Sequence, residues 1–210
     1  MREPGRSIFR IGLTGPIGCG KSTVAGWLGE RPDVVVVDAD RVARDVLEIG
    51  TPELDAVYRR FGDALRRADG SLDRGALGRV VFADPSALAD LEAIVHPAVR
   101  PRILAAMHDA ERAGARAVVV EAIKLVEGGL ADLCDEVWLI TCDPDVQLQR
   151  VTGRGDDATD ARPRIAAQGA LTERLRPRAT RVLDTSGPPE ATRALVEEAL
   201  DAALGLSPRA

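Results

Sequence analysis

The feature that most narrows the fold is a glycine-rich octet near the amino terminus, Gly15-Pro16-Ile17-Gly18-Cys19-Gly20-Lys21-Ser22. It follows Ile8 to Thr14, which reads as a buried strand, and it opens Lys21 to Leu28, which reads as a helix. A plain turn does not need a lysine and a hydroxyl directly after its last glycine. A loop that wraps an anion does. Its backbone N–H groups and the positive end of the following helix face the negative charge, and glycine keeps side chains out of the way. Strand, loop and helix in this order form the first part of a parallel β-α-β arrangement, so further parallel strands are required downstream.

Those strands are legible. Val34-Val35-Val36-Val37 is a continuous β-branched run of the kind buried on both faces of a parallel sheet, and Asp38-Ala39-Asp40 follows at its carboxyl end. Ala117 to Val120 and Glu136 to Thr141 repeat the pattern, and Ala179 to Asp184 is a weaker last strand. The expected fold class is therefore α/β, a parallel sheet flanked by helices, with ligands collecting beyond the carboxyl ends of the strands. Between residues 51 and 114 helical spacing takes over, broken by Gly62, Gly70, Pro85 and Pro97, which predicts a helical insertion. Glycine and charge dominate residues 153–163, the expected position of a lid.

Composition closes off several function classes. A chain of 210 residues fits one domain with an inserted subdomain, and 45% hydrophobic with 29% charged residues is the balance of a folded soluble protein. A net charge of −5 argues against a nucleic-acid partner. Met1 to Ser7 is polar and lacks a signal peptide's apolar stretch, and no segment reads as membrane-spanning. The three cysteines, Cys19, Cys134 and Cys142, are odd in number and form no C-x-x-C pair, which predicts neither disulfide framework nor zinc site and a cytoplasmic setting. Cys19 is expected to contribute only its backbone.

The octet satisfies the Walker A, or P-loop, pattern in its required strand-loop-helix context. Gly15 to Thr23 then form the ATP cradle, Lys21 neutralises the β- and γ-phosphates, and Ser22 coordinates Mg²⁺. No Asn-Lys-x-Asp guanine signature is present, which counts against a GTPase, and the chain is short for a mechanochemical ATPase.

The ordered motifs narrow this further. Gly12 to Thr23 resembles the opening of the dephospho-coenzyme A kinase family; Val37 to Arg44, Val95-His96-Pro97, Glu127 to Leu130, Asp143 to Arg150, Arg164 to Gln168 and Asp184-Thr185-Ser186-Gly187 are similar to its later motifs, in order. Pro16, Ile123-Lys124 and Thr185 depart from the family pattern, which usually has glycine, Pro-Leu and asparagine there. Lys124 either reaches a substrate phosphate or extends into solvent.

The resemblance implies transfer of the ATP γ-phosphoryl group to the ribose 3′-hydroxyl of dephospho-coenzyme A. It implies Asp40 as the carboxylate that meets this hydroxyl; beside it, Asp38 is expected in the Mg²⁺ shell or in local hydrogen bonding, Arg44, one helical turn from Asp40, and His96 at the acceptor, and Arg154, by its place in the lid, over the phosphates. Each has a plainer alternative. Asp38 or Asp40 could cap the following helix, Arg44 could pair with Asp40 one turn away, and His96 could be a packed core histidine. A nucleoside or nucleotide kinase, or a non-catalytic nucleotide-binding regulatory module, remains the competing function.

Overall fold

The computed structural model describes residues 8–153, 165 and 172–206. They divide into two compact units, one drawn from residues 8–38 and the described residues from 107 onward, the other from residues 39–106.

The first unit is built on five parallel strands: β1 (Phe9–Thr14), β2 (Val34–Asp38), β3 (Ala117–Glu121), β4 (Glu136–Thr141) and β5 (Arg181–Asp184), in the order β2-β3-β1-β4-β5. Helices α1 (Lys21–Gly29), α6 (Pro144–Thr152) and α7 (Pro189–Ala203) belong to the same unit. β1 is thus the middle strand, with Phe9 opposite Ala117 on one side and Ile11 opposite Glu136 on the other. On one sheet face, Ile11, Leu13, Trp138 and Ile140 pack against Val24 and Leu28 of α1 and Val196 and Leu200 of α7. Each such fully buried side chain contributes about 1.5–3 kcal/mol relative to exposure. Arg31, just after α1, donates to Asp33 (3.2 Å) and to Asp201 of α7 (3.0 Å), which fastens the α1–β2 corner to the last helix.

The second unit contains α2 (Ala39–Asp45), α3 (Pro52–Phe61), α4 (Arg74–Ala83) and the first part of α5 (Pro85–Arg112). Starts are capped as the sequence suggests: the Thr51 hydroxyl accepts from the Leu54 N–H at 3.2 Å, and the Asp73 carboxylate accepts from Ala76 at 2.9 Å. Gly62 ends α3, and Pro85 opens α5. The expected break at Pro97 does not occur. α5 runs through both Pro97 and Pro101. A proline inside a helix leaves the carbonyl four residues earlier without its donor. Here Ala93, Pro97 and Pro101 fall on one exposed stripe, so water can reach the orphaned carbonyls.

Candidate active site

The phosphate loop leaves the carboxyl end of the central strand and is held from three directions. Gly15 has φ 147°, and a Cβ there would collide with the Ile140 carbonyl oxygen of β4. Gly18 has φ 78°, with a Cβ position 2.7 Å from Val151 of α6. These two positions need glycine both for backbone conformation and for close approach. From α6 the Gln147 side-chain amide donates to the Ile17 carbonyl at 2.7 Å. Beyond β5 the Thr185 hydroxyl donates to the Cys19 carbonyl at 2.8 Å, with the Thr141 carbonyl at 3.2 Å. Arg150 completes this anchor by donating to the Thr185 hydroxyl (3.0 Å) and carbonyl (2.7 Å).

Within the loop, Lys21 is buried and its Nζ donates to the Pro16 carbonyl at 3.4 Å. Pro16 therefore contributes its oxygen, and its missing N–H leaves that contact intact. Ser22 is exposed at the first turn of α1, and its hydroxyl donates to the Glu121 carboxylate at 2.8 Å. Glu121 ends β3 and stands in register with Asp38, the last residue of β2. Two acidic strand ends thus lie side by side, and one of them holds the Ser22 hydroxyl. The donors are all oxygen, the set a hard divalent cation such as Mg²⁺ prefers. No group of three or more His, Cys, Asp or Glu residues forms a metal cluster among the described residues.

A pocket of about 190 Å³ opens beside the end of the loop, lined by Gly20, Thr23, Trp27, Arg150, Thr185 and Pro189 among others. It offers an indole, a guanidinium and a proline ring to a planar group.

The remaining expected residues fall as follows. Asp40 lies in the first turn of α2, one residue inside the helix, so capping is not its position; Asp38 precedes Ala39 as the strand's final residue. Arg44 is exposed in the last turn of α2, and its carbonyl accepts from Arg74 at 2.8 Å. His96 is exposed on α5, so it is not a packed core histidine. Lys124 is exposed. Arg154 and Arg164 lie outside the described residues.

Two expectations about cysteine are overturned. Cys19 and Cys142 form a disulfide across 123 positions of sequence, and Cys19 therefore contributes its side chain as well as its backbone. Spacing along the chain is silent on this pair because only the packing of the loop against the end of β4 brings it together. Glu121 was also missed. Its signal is the one that marked Asp38: an acidic residue directly ending a valine run.

A parallel sheet of order 2-3-1-4-5, a glycine loop closed by a buried lysine, and a hydroxyl tied to a strand-end carboxylate define a P-loop kinase. Known proteins agree. A sequence profile described as dephospho-CoA kinase matches residues 9–190. A dephospho-CoA kinase from Symbiobacterium thermophilum is 46% identical over 93% of this chain and 81% of its own length. One from Moorella thermoacetica is 44% identical over 91% of each chain. Among solved structures, Thermus thermophilus TT1252 superposes with a TM-score of 0.75 at 36% identity, covering 94% of this chain and 97% of its own. Shikimate kinase from Bacteroides thetaiotaomicron (TM-score 0.56, 14% identity, 94% and 99% covered) shares the fold. The chain belongs to the dephospho-CoA kinase family, the kinases of the last step of coenzyme A biosynthesis.

Proposed function

We propose that this chain transfers the γ-phosphoryl group of ATP to the ribose 3′-hydroxyl of dephospho-coenzyme A, in the cytoplasm. The observation that carries the proposal is the loop Gly15 to Thr23, with Lys21 buried over it and Ser22 joined to Glu121. The loop amides and Lys21 take the β- and γ-phosphates, and the base of ATP lies in the pocket between Trp27, Arg150 and Pro189. Ser22, with Asp38 and Glu121 in support, would hold Mg²⁺, which would supply neutralisation of charge on the phosphate oxygens. Asp40 accepts a hydrogen bond from the 3′-hydroxyl and takes its proton as the new O–P bond forms and the bond from the γ-phosphorus to the β,γ-bridging oxygen breaks, releasing ADP. Arg44 and His96 bind the acceptor. Arg154 steadies the transferring group, an assignment argued from its place in the expected lid and from the reach of a guanidinium. The helical insertion at 51–114 supplies the acceptor's surroundings; the expected lid at 153–163 lies, but for Gly153, outside the described residues.

The test is an acceptor panel with ATP and Mg²⁺, containing dephospho-coenzyme A, nucleosides and nucleoside monophosphates. Coenzyme A should form from its dephospho precursor, and Lys21→Ala should remove nearly all turnover. Preferential phosphorylation of a nucleoside or nucleotide would replace the proposal with the competing kinase. No transfer to any acceptor, with ATP still bound, would favour a regulatory nucleotide-binding module.

A further inference from the structure

We infer that Cys19 and Cys142 constitute a thiol–disulfide site that sets how firmly the phosphate loop is held, with low-molecular-weight disulfides as its oxidant and thiols as its reductant. Cys19 sits between Gly18 and Gly20, the most conformationally permissive stretch of the loop, and its side chain has 0% exposure. Cys142 is the first residue after β4 and is partly exposed. The disulfide joins them with a Cα–Cα separation of 5.2 Å. The third cysteine, Cys134, is occupied elsewhere, its thiol donating to the Leu130 carbonyl at 3.5 Å.

The chemistry balances. A small thiolate attacks the Cys142 sulfur, Cys142 being the more exposed residue of the two, and the Cys19–Cys142 bond breaks. Cys19 leaves as a thiolate and takes up a proton. A second small thiolate then cleaves the mixed disulfide, freeing Cys142 and releasing one small-molecule disulfide. Two electrons pass to the protein, and oxidation is the same exchange in reverse. In a reducing compartment such a pair is characteristically transient or redox-sensing.

The consequence lies in pre-organisation. Among the described residues, the loop is also held by hydrogen bonds and packing contacts from Gln147, Thr185, Val151 and the Gly15–Ile140 approach. The disulfide is the covalent one, and it grips the residue flanked by two glycines. Cutting it returns freedom to the loop that ATP binding must then remove, so affinity falls. This inference rests on the loop being the ATP cradle.

The experiment measures ATP binding by calorimetry and by tryptophan fluorescence, since Trp27 lines the adjoining pocket. The protein is prepared oxidised, or reduced with a phosphine. Dephospho-coenzyme A is left out because it is itself a thiol, and alkylation with mass spectrometry verifies each cysteine's state. Oxidised wild type should bind ATP about 3–10-fold more tightly than reduced wild type. Cys142→Ser should bind like the reduced form in both buffers, and Cys134→Ser should retain the wild-type response. Reduction should also lower the thermal midpoint of the wild type by about 5 °C or more while leaving Cys142→Ser unmoved. The wild-type comparison needs no variant to fold. Equal ATP affinities in verified oxidised and reduced samples, or Cys19 and Cys142 both still alkylatable after oxidation, would overturn the inference. Absence of ATP binding in both states would refute the cradle itself, and this inference with it.

Discussion

Thr185→Val isolates the smallest piece of the loop's scaffolding. Valine keeps the shape of threonine but removes, from a residue that is 3% exposed, a hydroxyl that donates to the Cys19 carbonyl and accepts from Arg150. The losses are unequal. The Thr141 carbonyl keeps the Thr185 N–H at 2.9 Å, and Arg150 keeps the Thr185 carbonyl at 2.7 Å. The Cys19 carbonyl loses the side-chain donor that fixes it. One buried acceptor left unsatisfied costs about 1–3 kcal/mol. For a domain of this size that corresponds to a thermal midpoint lower by about 2–12 °C. If half of the cost falls on loop positioning, the KM for ATP rises by about 2–13-fold. The KM for the acceptor should stay within about twofold, because the lost bond tethers only the loop. Urea unfolding and steady-state kinetics with each substrate varied in turn measure both effects. Thr185→Ser, which keeps the hydroxyl, should recover most of them. If Thr185→Val melts like wild type with an unchanged KM for ATP, or if serine fails as badly as valine, the hydroxyl does not anchor the loop.

Two further outcomes follow from neighbouring contacts. Glu121→Gln weakens the acceptor of the Ser22 hydroxyl and should lower turnover by about 10–100-fold with a raised Mg²⁺ requirement, read from a Mg²⁺ titration at saturating ATP; a wild-type Mg²⁺ curve would exclude Glu121 from the metal's surroundings. Stability should fall on acidification. Burial alone would raise the Glu136 carboxyl, but hydrogen bonds from Arg181 and Trp138 outweigh it and hold Glu136 below its ordinary 4.5. Asp33 likewise lies below its ordinary 3.8, burial being outweighed by Arg31. Carboxyls depressed in the folded state contribute fully above their unfolded values and lose that contribution as pH falls through the folded ones. The thermal midpoint should therefore hold from neutrality to about pH 5 and decline below it. Glu136→Gln should make the decline shallower, and an unchanged slope would show that the Glu136–Arg181 pair is not responsible.

What the sequence discloses here is what local chemistry dictates. Valine runs located β2 and β3, and the spacing of the loop located β1 and α1, because burial and backbone conformation act on neighbouring residues. β3 was read as ending at Val120, yet it extends to Glu121. An acidic residue has low strand propensity by itself, and only its hydroxyl partner 99 positions away gives it a reason to be there. Thr185 stood out merely as a departure from a family pattern, since a short hydroxyl carries no sign of which carbonyl it will meet. Cys19 and Cys142 were invisible as a pair for the same reason. Pro97 misled in the opposite direction. Its local preference is against helix, but the exposed stripe it shares with Ala93 lets water satisfy the carbonyl the ring leaves behind.

The central place of β1 gives the sheet a division of labour. To one side, the tips of β2 and β3 present carboxylates; to the other, β4, β5 and the residues just past them present grips. On the proposed function, an alteration on the acidic flank should change what the enzyme can do to a phosphate already seated. An alteration on the gripping flank should change whether a seat exists when the phosphate arrives, so the two kinds of lesion should separate into slow catalysts and poor binders.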